Sequence, residues 1–302
     1  MFRRTLLASV GAIALTGAAL AADLPSRAPP PVYLPPPPVF TWTGFYAGLN
    51  AGYTFGGSNS VDVDTVPAFA DPATFGAIAT DLATATAASA TGVLPGHNEG
   101  FIGGGQVGYN LQFANSFVVG IEADIQGTGA RHSAQAVGLA PLATVAGASA
   151  QSNLFVASAV DYLGTVRGRL GFLLTPALLI FGDGGFAYGG VHQDVNVATF
   201  FPPTGIGTAP AFGSFTNTRT GWTAGGGLEW MFAPNWSLKA EYLYYDLGTV
   251  TFGVGALTVA TAAGTVFTDP VAASTRWNGH IVRAGLNYHF NWGYPAPVVA
   301  KY

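Results

Sequence analysis

Charged side chains are scarce in this sequence, and many fall two residues apart. Glu122 and Asp124 form one such pair, Arg167 and Arg169 a second, and Lys239 and Glu241 a third; Asp161, Asp183, Glu229 and Arg283 stand within similar apolar–polar alternations. Carboxylates, guanidinium groups and an ammonium gathered on one axis have three uses. They can line a narrow ion path, form a gate that switches by exchanging partners, or make a polar core in which each charge is offset by a neighbour. These ten groups comprise six acids and four bases, so most can pair, which favours the core. Lys239 and Glu241 are the expected partners of Arg167, Arg169, Glu229 and Arg283, with register left open.

Other chemistry is thinner. His97, His132 and His192 fall in or near predicted loops, without metal-ligand spacing, and His280 and His289 fall near the end of the chain. Asp62-Val63-Asp64 lacks the pattern of a calcium loop. Asp71-Pro72 predicts a short helix running to Ala85, with Asp71 as its cap. No Ser–His or acid–base set lands on one face at one height. The sequence therefore predicts no enzyme, metal or cofactor.

The elements that must position the charges are strands. In Trp222–Asp246, Trp222, Ala224, Gly226, Leu228, Trp230 and Phe232 share one face, and Thr223, Gly225, Gly227, Glu229 and Met231 the other. After Ala233-Pro234-Asn235 the alternation resumes. Trp236, Leu238, Ala240, Tyr242 and Tyr244 oppose Ser237, Lys239 and Glu241. Two strands and a tight turn fit this pattern. Ten residues at about 3.3 Å each, tilted by roughly 40°, rise about 25 Å, the height of the apolar band on a membrane barrel. Trp222, Trp230, Phe232, Trp236, Tyr242 and Tyr244 are placed to mark the two lipid–water boundaries. The opposite face cannot meet hydrocarbon, since a Lys or Arg at the bilayer centre costs roughly 2–4 kcal/mol.

The same test finds six further strands, at Trp42–Phe55, Phe101–Phe113, Phe117–Gln126, Val160–Leu174, Leu178–Gly190 and Gly279–Phe290, with Tyr46 and Phe181 as exceptions to the alternation. Ala114–Ser116, Thr175–Ala177 and Ala233–Asn235 are short connections. Gly56–Gly100, Gly127–Asn153, Val191–Arg219 and Thr249–Asn278 are long ones, the last three rich in Ala, Thr, Val and Gly that can continue the strands. The expected fold is all-β: an eight-stranded antiparallel up-and-down transmembrane β-barrel, with short periplasmic turns, four long extracellular loops and both termini periplasmic. A soluble eight-stranded barrel would have to hold the Trp, Tyr and Phe residues in an interior wide enough only for ordinary side-chain packing.

Composition agrees. Mean hydropathy is +0.37 with only 9% charged residues, yet no stretch after the start is long and apolar enough for a spanning helix. Arg3 and Arg4, the apolar run Thr5–Leu20 and Ala19-Leu20-Ala21 read as a secretory signal peptide over 1–21. Without it, 11 basic residues become 9 against 15 acidic ones, a net of −6 that argues against nucleic acid as a partner. Cysteine is absent, so the fold uses no disulfide. Residues 22–41 are Pro-rich and predict an extended periplasmic tether on the order of 50 Å long.

WTGFYAGLNAGY (Trp42–Tyr53), LGTVRGRLGF (Leu163–Phe172), EYLYYDLG (Glu241–Gly248) and VRAGLNYHF (Val282–Phe290) resemble the Gram-negative family of small outer-membrane β-barrel surface proteins, often called porin-like. The resemblance runs from the leader to Phe290. It implies an eight-stranded barrel like the OmpA membrane domain, set in outer-membrane lipid by the barrel assembly machinery. Arg283, Gly285, Tyr288 and Phe290 match the family's insertion signal, although Asn291–Tyr302 follow it as a periplasmic extension. In proteins of this kind a mature terminus beginning Ala-Asp is implicated in attachment to peptidoglycan, which points to Ala22 and Asp23. Some relatives are associated with haem, which makes a haem-binding surface receptor one alternative. The expected function is structural: envelope integrity and surface contacts through the loops, with a narrow channel for small solutes or ions as the other alternative.

Overall fold

The computed structural model describes residues 40–202 and 205–290. The leader, Ala22 and Asp23, the Pro-rich tether up to residue 39 and the extension 291–302 lie outside the described residues.

Eight strands form the wall: β1 (Gly44–Phe55), β2 (Gly100–Phe113), β3 (Phe117–Thr128), β4 (Ser149–Thr175), β5 (Leu178–Phe201), β6 (Ala211–Ala233), β7 (Trp236–Thr261) and β8 (Gly264–Phe290). Each pairs antiparallel with the next, and β8 pairs back onto β1 from Phe45↔Phe290 to Phe55↔His280. The sheet is therefore a closed ring. The turn after β2 places Ala114 and Asn115 at φ of 47° and 62°, the paired positive φ that matches hairpin twist.

Polarity is reversed relative to a water-soluble domain. Leu49 and Phe101 are 73% and 80% exposed on the outer face, whereas Glu229 and Lys239 are fully buried inside. Exposed apolar area of this extent has no stable place in water and suits lipid.

Five strands, β4 to β8, run 23–27 residues, while β1 to β3 run 12–14. The long connections are thus largely wall. Thr249–Asn278 is a β-hairpin that turns only at Ala262 and Ala263. Above the short strands, substitutes take their places. Val61–Thr65 pairs with β8 and with Gly92–Leu94, and Arg131–Pro141 pairs with β4. Asp62 and Asp64 sit exposed on the first of these, between buried Val61, Val63 and Thr65. The expected helix after Asp71 is two helices, α1 (Pro72–Phe75) and α2 (Ala77–Ala90). Asp71 caps α1 by accepting from the Thr74 N–H at 3.1 Å. Gly76, at φ 72°, breaks the axis between them.

α2 packs against β4, β8, Val61–Thr65 and Arg131–Pro141. Its Ala79, Ala83, Ala85, Ala87 and Ala90 are buried, and Ser89 lies so close to the backbone of Gly138 that a Cβ there would meet the Ser89 carbonyl at 1.9 Å. Asp81 ties α2 to the second loop through the Ala143 and Thr144 N–H groups at 2.9 and 2.8 Å, and the Thr144 hydroxyl and these N–H groups hold its carboxyl below the usual range. Inside this upper wall lie Leu154, Val156, Val195, Val197, Val254, Leu257, Phe201 and Phe267. The long-loop end is a packed head.

Asp269 is the exception within the head. It is fully buried on β8, and the Ala68 N–H approaches it without completing a hydrogen bond of good geometry. Burial pushes its carboxyl up to about 7. The folded chain therefore keeps a proton that an unfolded chain, with an ordinary carboxylate near pKa ~3.9, has lost. Stability of the head falls as pH rises from about 4 to about 7, and the cost is complete above that. Asp269→Asn is expected to raise amide-exchange protection of Leu257 and Phe267 at pH 8 and to leave it unchanged at pH 4. Equal effects at both values would contradict the assignment.

Candidate functional site

The charges meet in one layer of the lumen, toward the short-turn end. Alternation turns Glu122 and Asp124 of β3, Arg167 and Arg169 of β4, Asp183 of β5, Glu229 of β6, Lys239 and Glu241 of β7 and Arg283 of β8 inward. Register then brings cross-strand pairs together: Glu122↔Arg167, Arg169↔Asp183, Glu229↔Lys239 and Glu241↔Arg283.

Arg167 is the hub. Its Nη2 donates to Glu122 Oε1 at 2.5 Å and Asp124 Oδ2 at 2.8 Å, and its Nη1 to Glu241 Oε1 at 2.9 Å and to Asp183. Arg283 donates to Glu241 Oε2 at 2.6 Å and Asp124 Oδ2 at 2.8 Å. Lys239 donates to Glu122 Oε1 at 2.7 Å. Arg169 donates to Glu229, and its guanidinium lies 3.8 Å from the ring centre of Phe181. Glu229 also accepts from Ser237 Oγ at 2.5 Å and Asn287 Nδ2 at 2.8 Å. His289 lies 3.5 Å from the same carboxylate. Charge-assisted bonds of this kind offset the several kcal/mol that burial costs each ion.

Asp161 does not join them. A β-bulge between Val160 and Tyr162 sets it out of step, so it is exposed while Val160 and Leu163 are buried. The lumen layer therefore holds five carboxylates and four cations. Two aromatics that break the alternation complete it. Tyr46 donates to Glu122 Oε2 at 2.6 Å, with its ring over Gly108, where a Cβ would lie 2.4 Å from it. Phe181 fills the space that Gly227 leaves and stacks on Arg169. The facing glycines are the signal that could have found both.

Apolar layers bracket the charges. On the short-turn side lie Trp42, Val118, Leu173, Leu179 and Met231, and Trp42 Nε1 donates to the Pro176 carbonyl at 3.0 Å. On the head side lie Ile102, Leu163, Leu243, Tyr245, Trp277 and Ile281.

The outer face carries the aromatic groups. Trp222, Trp230, Phe232, Trp236 and Tyr242 are exposed and Tyr244 is half-exposed. Tyr288 faces outward, whereas Arg283 and Gly285 face the lumen. The loop histidines have ordinary partners: His97 Nδ1 lies 2.9 Å from the Gly57 carbonyl and His132 Nε2 3.0 Å from that of Pro95. His192 stands between Thr216 Oγ1 at 2.6 Å and Asp194 Oδ2 at 2.9 Å. This hydroxyl–imidazole–carboxylate chain, which strand order alone conceals, lies on the outer sheet face with half-exposed side chains. Among the described residues no group of His and acids is arranged to hold a metal.

The family model for the outer membrane protein beta-barrel domain matches residues 14–290. The chain belongs to that family. It is 33% identical over 296 residues to the 31 kDa outer-membrane immunogenic proteins of Brucella melitensis biotype 1 and Brucella suis biovar 1, covering 95% of this chain and 100% of theirs. Its outer-membrane location follows from both findings. Solved barrels are more distant. OprG from Pseudomonas aeruginosa is 10% identical at a TM-score of 0.36 (83% of this chain, 99% of that one). Ail of Yersinia pestis is 12% identical at 0.24 (80% and 99%). At these TM-scores neither carries further argument.

Removing the hub leaves buried carboxylates facing each other without their main cation. Arg167→Met is expected to destabilise the folded barrel by about 3–5 kcal/mol, read as a lower urea midpoint for the heat-modifiable form in lipid vesicles.

Proposed function

We propose that the protein is a closed structural barrel of the outer membrane that presents a packed surface head and does not conduct ions. The observation that carries this reading is the layered interior. Every inward charged side chain of the layer has an oppositely charged partner, and apolar side chains fill the lumen on both sides of it. An ion crossing the lumen would have to break these pairs and shed its own water against Trp42 and Leu179 at one end and Leu243 and Trp277 at the other.

In this reading the short turns and both termini face the periplasm and the head faces outward. Short inner turns and long outer loops are the usual arrangement of such barrels. The head then supplies the contacts with the surroundings. Five of its strands continue from the membrane wall, and Asp81 clamps two loops together, which favours a rigid surface.

Arg283, Gly285, Tyr288 and Phe290 serve as the insertion signal for the assembly machinery. Their placement on the strand that closes the ring against β1 supports that role.

Purified protein in planar bilayers is expected to give no reproducible conductance steps, and regular steps would sink the closed-barrel reading. Phe290→Ala is expected to lower the yield of heat-modifiable protein in the outer membrane severalfold, with expression unchanged. An unaltered yield would remove Phe290 from the signal.

A further inference from the structure

We propose that the outer face of the head carries a saccharide site, a groove across Arg131–Pro141, β4 and β5 that holds neutral sugar units of a glycan chain. The groove has a volume of about 390 Å³, within the range of small-molecule sites. Its chemistry-bearing side chains are Gln135, Asn153, Phe155 and Asn196.

Cross-strand register sets these groups in place. Gln135 pairs with Phe155, and Phe155 with Asn196, so an amide stands on each side of the phenyl ring in one row. Asn153 lies two residues from Phe155 on β4 and therefore on the same face. Neighbouring strands are about 4.8 Å apart and alternate residues about 6.7 Å, so the three amides enclose a patch of about 10 by 7 Å. The residues beside them are small. Ala198 pairs with Asn153, and Ala157 follows Phe155 on the same face of β4. Phe155 is 44% exposed, so much of its ring remains to be covered. Beyond Asn196 in the same row stands a second exposed ring, Phe212 of β6.

These groups specify the occupant. A carboxamide offers an accepting oxygen and two N–H donors, the match for hydroxyls that both donate and accept. The amides of Gln135, Asn153 and Asn196 make no side-chain hydrogen bond among the described residues, so all three are available. A pyranose carries hydroxyls around its edge and C–H groups on its faces. It can bond the amides with its edge while a face covers the Phe155 ring. Other ligands fit less well. An anion would need a cation, and the groove holds no charged side chain. The nearest charge on these strands, Asp194, is acidic and is held by His192 at 2.9 Å. An apolar ligand would strip water from three amides without replacing its hydrogen bonds. A peptide strand would seek a free backbone edge, whereas β4 is paired on both sides here.

Height and direction select the source of the sugar. Asn196 pairs with Phe212, ten residues along β6 from Trp222. At about 3.3 Å each and a tilt of roughly 40°, the groove stands about 25 Å beyond the lipid boundary. It opens sideways, because β4 and β5 continue the barrel wall. A sideways groove at this height meets glycan chains that rise from the same membrane. That source rests on the outward head proposed above; the sugar chemistry does not.

The test uses the full-length protein in a detergent without a sugar headgroup, titrated by calorimetry. The probes are delipidated polysaccharide from the producing strain's own outer membrane and, as an acidic control, polygalacturonate. The first is expected to bind and the second is not. Phe155→Ala is expected to weaken binding about tenfold or more, and Phe155→Leu, apolar but without a flat face, nearly as much, while Phe155→Tyr retains it. Asn153→Ala with Asn196→Ala is expected to cost about tenfold or more. Phe69→Ala, at an exposed aromatic elsewhere on the head, is expected to change nothing.

An inert polysaccharide, equal binding of polygalacturonate, binding that survives Phe155→Ala or the double amide substitution, or an equal loss with Phe69→Ala would overturn the proposal. The direction of the head is read separately. The chain has no cysteine, so Phe69→Cys supplies a single thiol, and a membrane-impermeant maleimide is expected to label it on intact cells. Absent labelling would sink the outward head and the assigned source together, while the titration still decides the sugar site.

Discussion

A bilayer interior offers no hydrogen bonds to a free strand edge, and this constraint governs the whole chain. The pairing of β1 with β8 meets it, since without that contact each would present an unpaired backbone to hydrocarbon. Closure fixes the number of ring members, and that number fixes the interior width. Eight strands leave room for side chains and little else. The charged layer, the apolar layers and the facing glycines are all consequences of filling that narrow space. Tyr46 fits because position 108 has no side chain, and Phe181 because position 227 has none.

Above the membrane band the constraint changes. Water can satisfy a strand edge, so the ring need not close there by strands alone. Three strands of the wall, β1 to β3, stop short, and the chain fills the gap with two short strands, the segment Arg131–Pro141 and α2. The interior changes with it. Where lipid surrounds the wall, the lumen is charged, because outward positions must be apolar and inward positions can carry the polar groups. In the head the interior is mainly apolar, as in a soluble domain, apart from Asp269 and the buried hydroxyls of Ser89, Ser152 and Thr199, with the half-exposed His192 and Asp194 on the outside. One continuous set of strands therefore carries both polarities, and the switch occurs where the aromatic groups Trp222 and Tyr244 stand.

Alternation made the membrane part of this legible in sequence. Apolar and polar residues differ enough there that parity alone turns Glu229 and Lys239 inward and Trp230 outward. It failed at Asp161 because a bulge adds a residue to one strand without leaving a mark in composition. It failed to pair Lys239 with Glu122 because the two lie on opposite parts of the ring, and register and reach decide such contacts. The head was hidden for a different reason. Its strands and α2 are built from Ala, Thr, Val and Gly, whose hydropathies differ too little for period to show. The helix break at Gly76 depends on a backbone angle, which sequence indicates only as permission. The placement of Thr216 beside His192 depends on cross-strand pairing over 24 residues.

The buried charges raise a final question of energetics. Replacing a buried ion network by well-packed apolar groups is often neutral or stabilising, so the network is poorly explained as a source of stability. Its geometry suggests register instead. A slip of one residue in any strand would turn its apolar set inward and its charges toward lipid. Slips of two preserve that parity and cost nothing in lipid contact. They would, however, move Arg167 away from Glu122 and Asp183, and Arg283 away from Glu241, leaving buried charges without partners. The penalty for an unpaired buried ion is several kcal/mol, well above the cost of a shifted apolar contact. Lipid thus selects the face of each strand, and the charge layer selects its height.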